Sequence, residues 1–127
     1  MRPQGLMGRL FGSIMERMNR TDYHHAIDLM IPQSHQAVLE IGFGTGKLLS
    51  LLNEHEPTLT LAGVDPADTM VTRAKAQKGL ANADLRIGTA DHLDWPDGHF
   101  DHVVALHSFQ FWADPAHCLN EIKRVMK

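Results

Sequence analysis

The chain has 127 residues, of which 43% are hydrophobic and 21% are charged, and its formal net charge is −3. This length is about the modal size of one domain, and it allows a substantial hydrophobic core. The single cysteine, Cys118, excludes an internal disulfide and is typical of a reducing compartment. Because no basic run, signal-peptide pattern or bilayer-length apolar run is visible, the sequence predicts a cytoplasmic protein with neither nucleic-acid nor membrane partners.

The amino-terminal part of the chain, residues 1–31, is predicted to be helical. Apolar residues recur at helical spacing from Leu6 to Met18, which predicts an amphipathic helix. Thr21 is a suitable N-cap for a second, shorter helix, and Pro32 would end it. We therefore expect two helices to precede the rest of the domain.

Short apolar runs alternate with helical patterns in the rest of the chain, residues 36–127. The four predicted strands are Val38–Ile41, Leu59–Val64, Asp84–Gly88 and Asp101–Leu106. Helices are predicted after the first, second and fourth strands, and the last helix opens with Asp114 as N-cap and Pro115 at its first position. This alternation predicts a single three-layer α/β domain with a mainly parallel sheet and helices on both faces.

Three glycines at alternate positions, Gly42, Gly44 and Gly46, directly follow the first predicted strand. That strand, Val38–Ile41, is a short apolar run typical of a parallel strand buried on both faces. The glycines let the backbone turn tightly and approach a bulky ligand, because no Cβ intrudes. The helix that begins near Gly46 directs its free N–H groups and its positive dipole end toward the same place. Together these features predict a nucleotide-binding corner.

Two common nucleotide-binding motifs do not fit this corner. A P-loop requires G-x-x-x-x-G-K-[ST], but the chain has Ile41 at the place of the first glycine and Leu48 at the place of the Ser or Thr. A dinucleotide-binding G-x-G-x-x-G motif requires its third glycine at the position of Lys47. The chain instead has an acidic residue, Glu40, followed by isoleucine and the pattern G-x-G-x-G.

The heptapeptide Glu-Ile-Gly-Phe-Gly-Thr-Gly, residues 40–46, resembles the first motif of the class I S-adenosylmethionine-dependent methyltransferases. Four later segments resemble further motifs of that family in the family's order: Gly63–Asp65, Gly88–Leu93, Asp97–Val104 and Glu121–Val125. The resemblance covers about residues 20–127, and within the family the chain is similar to small-molecule, type 11-like methyltransferase domains. The resemblance implies a Rossmann-like sheet with the strand order 3-2-1-4.

The resemblance also implies that S-adenosylmethionine is the cofactor and that its methyl group passes to a small-molecule acceptor by in-line displacement. The residues that it places at the cofactor are Glu40, Gly42, Gly44, Gly46, Asp65, Met70, Ala90 and Asp91. Asp65 would accept hydrogen bonds from the ribose diol, although it could instead cap the next helix. Glu40 would act on the amino group of the cofactor directly or through water, or else it would cap nearby loop amides.

Three of these residues are implied at the adenine. Met70 would lie near the ring, while Asp91 and the backbone of Ala90 would bind the adenine amino group. Thr89 stands where the family often has an acidic residue. Either Asp91 makes that contact, or the backbone provides most of it.

The segment that leaves strand four would lie beside the transferred methyl group. His107 is a candidate catalytic base, a residue whose carbonyl orients the cofactor, or a histidine that only lines the strand end. Phe109, Phe111 and Trp112 would either wall the acceptor site or cover the sheet. No metal is expected, because the histidines lack a recognised ligand spacing and no cysteine pair assists them.

Four strands are identifiable in the sequence, whereas members of this family usually complete seven. The resemblance therefore implies a domain that is truncated at its carboxyl-terminal side, and an exposed edge at strand four would favour self-association. Three hypotheses for the function follow. The chain is a small-molecule methyltransferase, a non-catalytic fragment that binds the cofactor or assembles with a partner, or an NAD-dependent oxidoreductase, which Lys47 disfavours.

Overall fold

The computed structural model describes residues 20–106 and 112–127, with side chains from residue 23 onward. The described helices are α1 (Arg20–Met30), α2 (Lys47–His55), α3 (Asp68–Lys75) and α4 (Pro115–Val125). The strands are β1 (Ala37–Ile41), β2 (Thr60–Asp65), β3 (Asp84–Ile87) and β4 (His102–Ala105). The helix predicted from Leu6 to Met18 lies outside the described residues. None of the described helices is both long enough and apolar enough to cross a bilayer.

The four strands form one parallel sheet in the order β3-β2-β1-β4. In the interior of this sheet, Leu39 of β1 pairs with Ala62 of β2 on one side and with Val103 of β4 on the other. Parallel neighbours need a crossover connection, and α2 and α3 provide it between β1 and β2 and between β2 and β3. The predicted fold class and strand order are therefore confirmed.

Alternate strand residues face two different hydrophobic clusters. Val38 of β1 and Val104 of β4 belong to a first cluster, together with apolar residues of α1, α2 and α3. Leu39 of β1 and Val103 of β4 belong to a second cluster, in which Ile122 represents α4. Helices thus cover the sheet on both faces, and β1 is buried on both sides as its apolar run predicts.

All four strands point in the same direction, so their carboxyl ends meet at one edge of the sheet. Ile41 ends β1 at this edge, and Asp65 ends β2 beside it. The hydrogen-bond ladder extends one residue into the glycine loop, where the Gly42 N–H donates to the Val64 carbonyl at 2.7 Å. Ligands of open α/β sheets bind in the crevice outside such an edge, which makes it the expected place for a site.

Candidate functional site

A cleft of about 540 Å³ opens at the carboxyl edge of the sheet. One wall contains the ends of β1 and β2 and the glycine loop, with Gly42, Gly44 and Asp65. The opposite wall contains the segment after β3 and the first turn of α4, with Asp91 and His117. The volume falls within the range of about 300–1,000 Å³ that is typical of small-molecule sites.

The three glycines of the corner all have a positive φ, but they face different neighbours. A Cβ at Gly44, where φ is 58°, would meet no atom within 4 Å, so this position is open to the cleft. A Cβ at Gly46, where φ is 85°, would come within 2.9 Å of the Ala74 Cβ and 3.0 Å of Leu80 Cδ1. Gly46 therefore allows the close packing of the loop against α3 and is not one of the described lining residues.

Asp65 connects the glycine loop to the end of β2. Its side chain is buried, and its two carboxylate oxygens accept hydrogen bonds from the Gly44 N–H at 2.9 Å and from the Ala67 N–H at 3.0 Å. The N-cap position of α3 belongs to Ala67, so Asp65 supports the helix entry from outside the helix. A carboxylate has about four acceptor positions, which leaves Asp65 able to accept further hydrogen bonds from a ligand.

Glu40 is the second acidic residue of this corner, and it is only 1% exposed. Residues two apart share a face of a strand, so Glu40 lies on the side of Val38 and the first hydrophobic cluster. In the described part of the chain, no group hydrogen-bonds its Oε1, and so no described loop amide is capped by this oxygen. Burial raises the pKa of Glu40 well above its usual value, and repulsion from Asp65 raises it further.

The opposite wall holds the residues predicted at the adenine. Ala90 is buried and Asp91 is exposed, and both line the cleft. The Thr89 hydroxyl donates to the Asp91 carboxylate. The Asp91 carbonyl oxygen lies 2.9 Å from Nε2 of His117 on α4. Asp91 is thus held through both its side chain and its main chain.

Comparison with known proteins adds the family. Residues 39–127 match the model of the methyltransferase-domain family. The chain belongs to that family. The methyltransferase domain is 32% identical over 103 residues to the demethylmenaquinone methyltransferase of Thermus thermophilus, across 80% of this chain and 47% of the relative. It is 32% identical over 124 residues to an uncharacterized methyltransferase of Mycobacterium bovis, across 95% of this chain and 49% of the relative.

A solved structure gives the same result at the level of the fold. A complex between the Haloferax volcanii Trm112 methyltransferase activator and a methyltransferase contains a chain that superposes with a TM-score of 0.77. The sequence identity is 31%, and the match covers 82% of this chain and 46% of that chain. The chain spans about half the length of the curated relatives that it matches.

The first turn of α4 is a part of the cleft that the sequence does not predict. Asp114, His117 and Cys118 all line the cleft. The motif Asp114-Pro115 predicts the helix start correctly, since the Asp114 carboxylate accepts the His117 N–H at 3.2 Å. The available signal was topological, because a helix that follows β4 starts near the same edge of the sheet. Burial raises the pKa of the Cys118 thiol, as do the nearby acidic residues.

Three residues predicted at the cofactor, Glu40, Gly46 and Met70, are absent from the described lining of the cleft. Met70 is partly buried and packs against the first hydrophobic cluster, and it is absent from the described lining. His107 lies outside the described residues, as do Phe109 and Phe111, whereas Trp112 lines the cleft. Among residues 20–106 and 112–127, no group of three His, Cys, Asp or Glu side chains is arranged to hold a metal. The individual cofactor contacts and the role of His107 stay predictions.

Proposed function

We propose that this methyltransferase domain binds S-adenosylmethionine in the cleft and supports transfer of its methyl group to a small-molecule acceptor. The observation that carries the proposal is the placement of Asp65, a buried carboxylate at the end of β2 whose oxygens are fixed by two backbone amides. A carboxylate fixed in this way suits the two hydroxyls of a ribose, because each oxygen keeps a free acceptor position.

The charge of the corner also fits this cofactor. S-Adenosylmethionine carries a positive sulfonium and an amino group and has no phosphate. A pyrophosphate in the cleft would meet the buried carboxylate of Asp65, and the Gly44 N–H is already used by Asp65. This arrangement disfavours an NAD-dependent oxidoreductase, since a dinucleotide site offers free N–H groups to its phosphates.

The chemistry of methyl transfer asks little of the protein beyond placement. When bound, S-adenosylmethionine supplies an electrophilic methyl group, and the residues of the domain have to align it with the acceptor and exclude water. The name of the Thermus thermophilus relative, a demethylmenaquinone methyltransferase, supports a small-molecule acceptor for this chain. His107 stays the candidate base for an acceptor that has to lose a proton.

Calorimetric titration tests the cofactor. We expect S-adenosylhomocysteine to bind and NAD not to bind. Asp65→Ala should weaken the affinity for S-adenosylhomocysteine by about 1–3 kcal/mol, or roughly fivefold to 150-fold, because hydrogen bonds to a charged group are lost. Asp68→Ala is the matched control, since it removes the same charge from an exposed position in the first turn of α3. A melting curve of each variant checks that the loss of the Gly44 and Ala67 contacts has not unfolded the protein.

Turnover tests the catalytic part of the proposal. Release of label from methyl-labelled S-adenosylmethionine is followed over a panel of acceptors that includes quinols. Binding of S-adenosylhomocysteine without turnover on any acceptor would favour the non-catalytic cofactor-binding hypothesis. If neither S-adenosylhomocysteine nor NAD binds at millimolar concentration, the assignment of the cofactor is wrong.

A further inference from the structure

The carboxyl-terminal half of α4 fastens the loop that follows β3. Glu121 accepts a hydrogen bond from the Leu93 N–H at 2.8 Å. Arg124 donates to the carbonyl of Leu93 and, at 2.8 Å, to that of Trp95. The two side chains also form an ion pair with an N–O distance of 2.8 Å, so each fixes the other. The main chain of the loop is thus attached to side chains of the helix.

His117 makes the same kind of contact at the cleft end of α4. It lies four residues before Glu121, and therefore on the same side of the helix. Its Nε2 is 2.9 Å from the Asp91 carbonyl oxygen, two residues before Leu93. Because a carbonyl oxygen only accepts hydrogen bonds, Nε2 has to carry the proton. Both the neutral Nε2–H tautomer and the imidazolium satisfy this condition, so the contact does not depend on the charge of the ring.

These contacts meet at the wall of the cleft predicted to recognise the adenine. Asp91, its neighbour Ala90 and His117 all line the cleft. The carboxylate of Asp91 is turned to the Thr89 hydroxyl, and its carbonyl is turned to His117. A shift of the peptide group at position 91 would therefore move the part of the wall where the base is expected. Among the hydrogen bonds of the described residues, the one from His117 is what joins that peptide group to α4.

We infer that His117 is a positioning residue: by holding the Asp91 carbonyl, it sets the selectivity of the cleft for a base with an exocyclic amino group. The inference rests on the proposed function for the identity of the ligand. The contact itself, between α4 and the loop, belongs to the free protein. Two measurements, one without ligand and one with ligand, therefore separate the two claims.

The first measurement is hydrogen exchange of the free protein. His117→Leu removes the donor, whereas His117→Gln keeps an N–H donor on a side chain of similar reach. His92→Leu is the matched control, because it removes an exposed imidazole next to Asp91. We expect amides of residues 89–95 to exchange about threefold to tenfold faster in His117→Leu only, since one hydrogen bond is lost. Equal rates in all four proteins would show that His117 does not hold the loop and would overturn the inference.

The second measurement is base selectivity. The dissociation constants of S-adenosylhomocysteine and S-inosylhomocysteine, in which an oxygen replaces the exocyclic amino group, are measured by calorimetry. We expect the preference for the adenosyl compound to fall about threefold to tenfold in His117→Leu and to persist in His117→Gln and His92→Leu. An unchanged preference in His117→Leu, even with weaker binding of both compounds, would overturn the inference. If the wild-type protein binds neither compound, the proposed function is wrong, and the exchange rates alone decide whether His117 holds the loop.

Discussion

Glu40 and Glu121 lie on opposite faces of the sheet, and they differ in burial, in hydrogen bonding and in the direction of their pKa shifts. Glu40 is almost fully buried, has an oxygen without a described partner, and has a pKa raised well above its usual value. Glu121 is partly exposed, and its pKa is lowered to about 2, chiefly because Arg124 donates to it and also because it accepts the Leu93 N–H. Glu40 belongs to the glycine corner, and Glu121 belongs to the helix that forms the other wall of the cleft.

The difference indicates that the two walls of the cleft differ in how their charged groups are stabilised. On the α4 side, charged groups satisfy one another, and Arg124 also reaches Asp97 at 2.9 Å. Such a wall is stable without a ligand. At the glycine corner, an acidic oxygen is buried without a described partner next to the carboxylate of Asp65, which raises the free energy of the folded state. Local costs of this kind are expected at functional sites.

The largest effect is expected where the corner packs against its own helix. Gly46→Ala forces alanine into a left-handed conformation, which costs roughly 1–2 kcal/mol, and crowds Ala74 and Leu80, which typically costs about 1–3 kcal/mol more. We therefore expect the free energy of unfolding in urea to fall by about 2–5 kcal/mol.

Gly44→Ala is the matched control for this prediction. Gly44 has a positive φ, as Gly46 does, but no atom lies within 4 Å of the Cβ that alanine would add. Its expected loss of stability is only about 1–2 kcal/mol, while its Cβ would enter the cleft and weaken binding of S-adenosylhomocysteine. Equal losses of stability in the two variants would contradict the packing role of Gly46.

The sequence predicts the sheet, its order and the glycine corner, because strands, turns and helix starts depend on local patterns and the resemblance supplies the topology. It does not distinguish the roles of Gly44 and Gly46, since these roles depend on where α3 places the side chain of Ala74. It also misses His117 as part of the site. The position of that side chain depends on how α4 packs across the sheet, and local spacing contains no such information.

A medium effect is expected from Glu121→Gln. The lowered pKa means that Glu121 contributes stability that is present above its ordinary value of 4.5 and is lost as the pH falls toward about 2. At pH 7 the variant should be less stable by about 1–3 kcal/mol, because charge-assisted hydrogen bonds to Arg124 are weakened. Urea unfolding at pH 7, 4 and 2.5 should show this difference shrinking with acidity. A difference that stays constant would contradict the assignment of the shift to the ionised carboxylate.

The smallest effect, and one of opposite slope, is expected from Glu40→Gln. Since the pKa of Glu40 is raised, the stability associated with its proton is fully present below the ordinary value of 4.5 and is lost as the pH rises toward the raised value. Glutamine keeps the shape of the protonated acid and does not titrate. The variant should therefore gain stability relative to the wild type as the pH rises above 4.5.

The last prediction is decided by how the difference in unfolding free energy between Glu40→Gln and the wild type changes with pH. A buried glutamine amide adds a contribution that is the same at every pH, so it shifts the whole curve without tilting it. Urea unfolding of both proteins is compared at half-unit steps from pH 4.5 to 7. Glu121→Gln is the reference. Its difference in unfolding free energy from the wild type should be constant in the part of this range where the Glu121 carboxylate is ionised in both the folded and the unfolded state. Parallel curves for Glu40→Gln and the wild type would mean that Glu40 ionises like an exposed carboxylate. The contrast between the two walls would then lie in their packing and not in their charge.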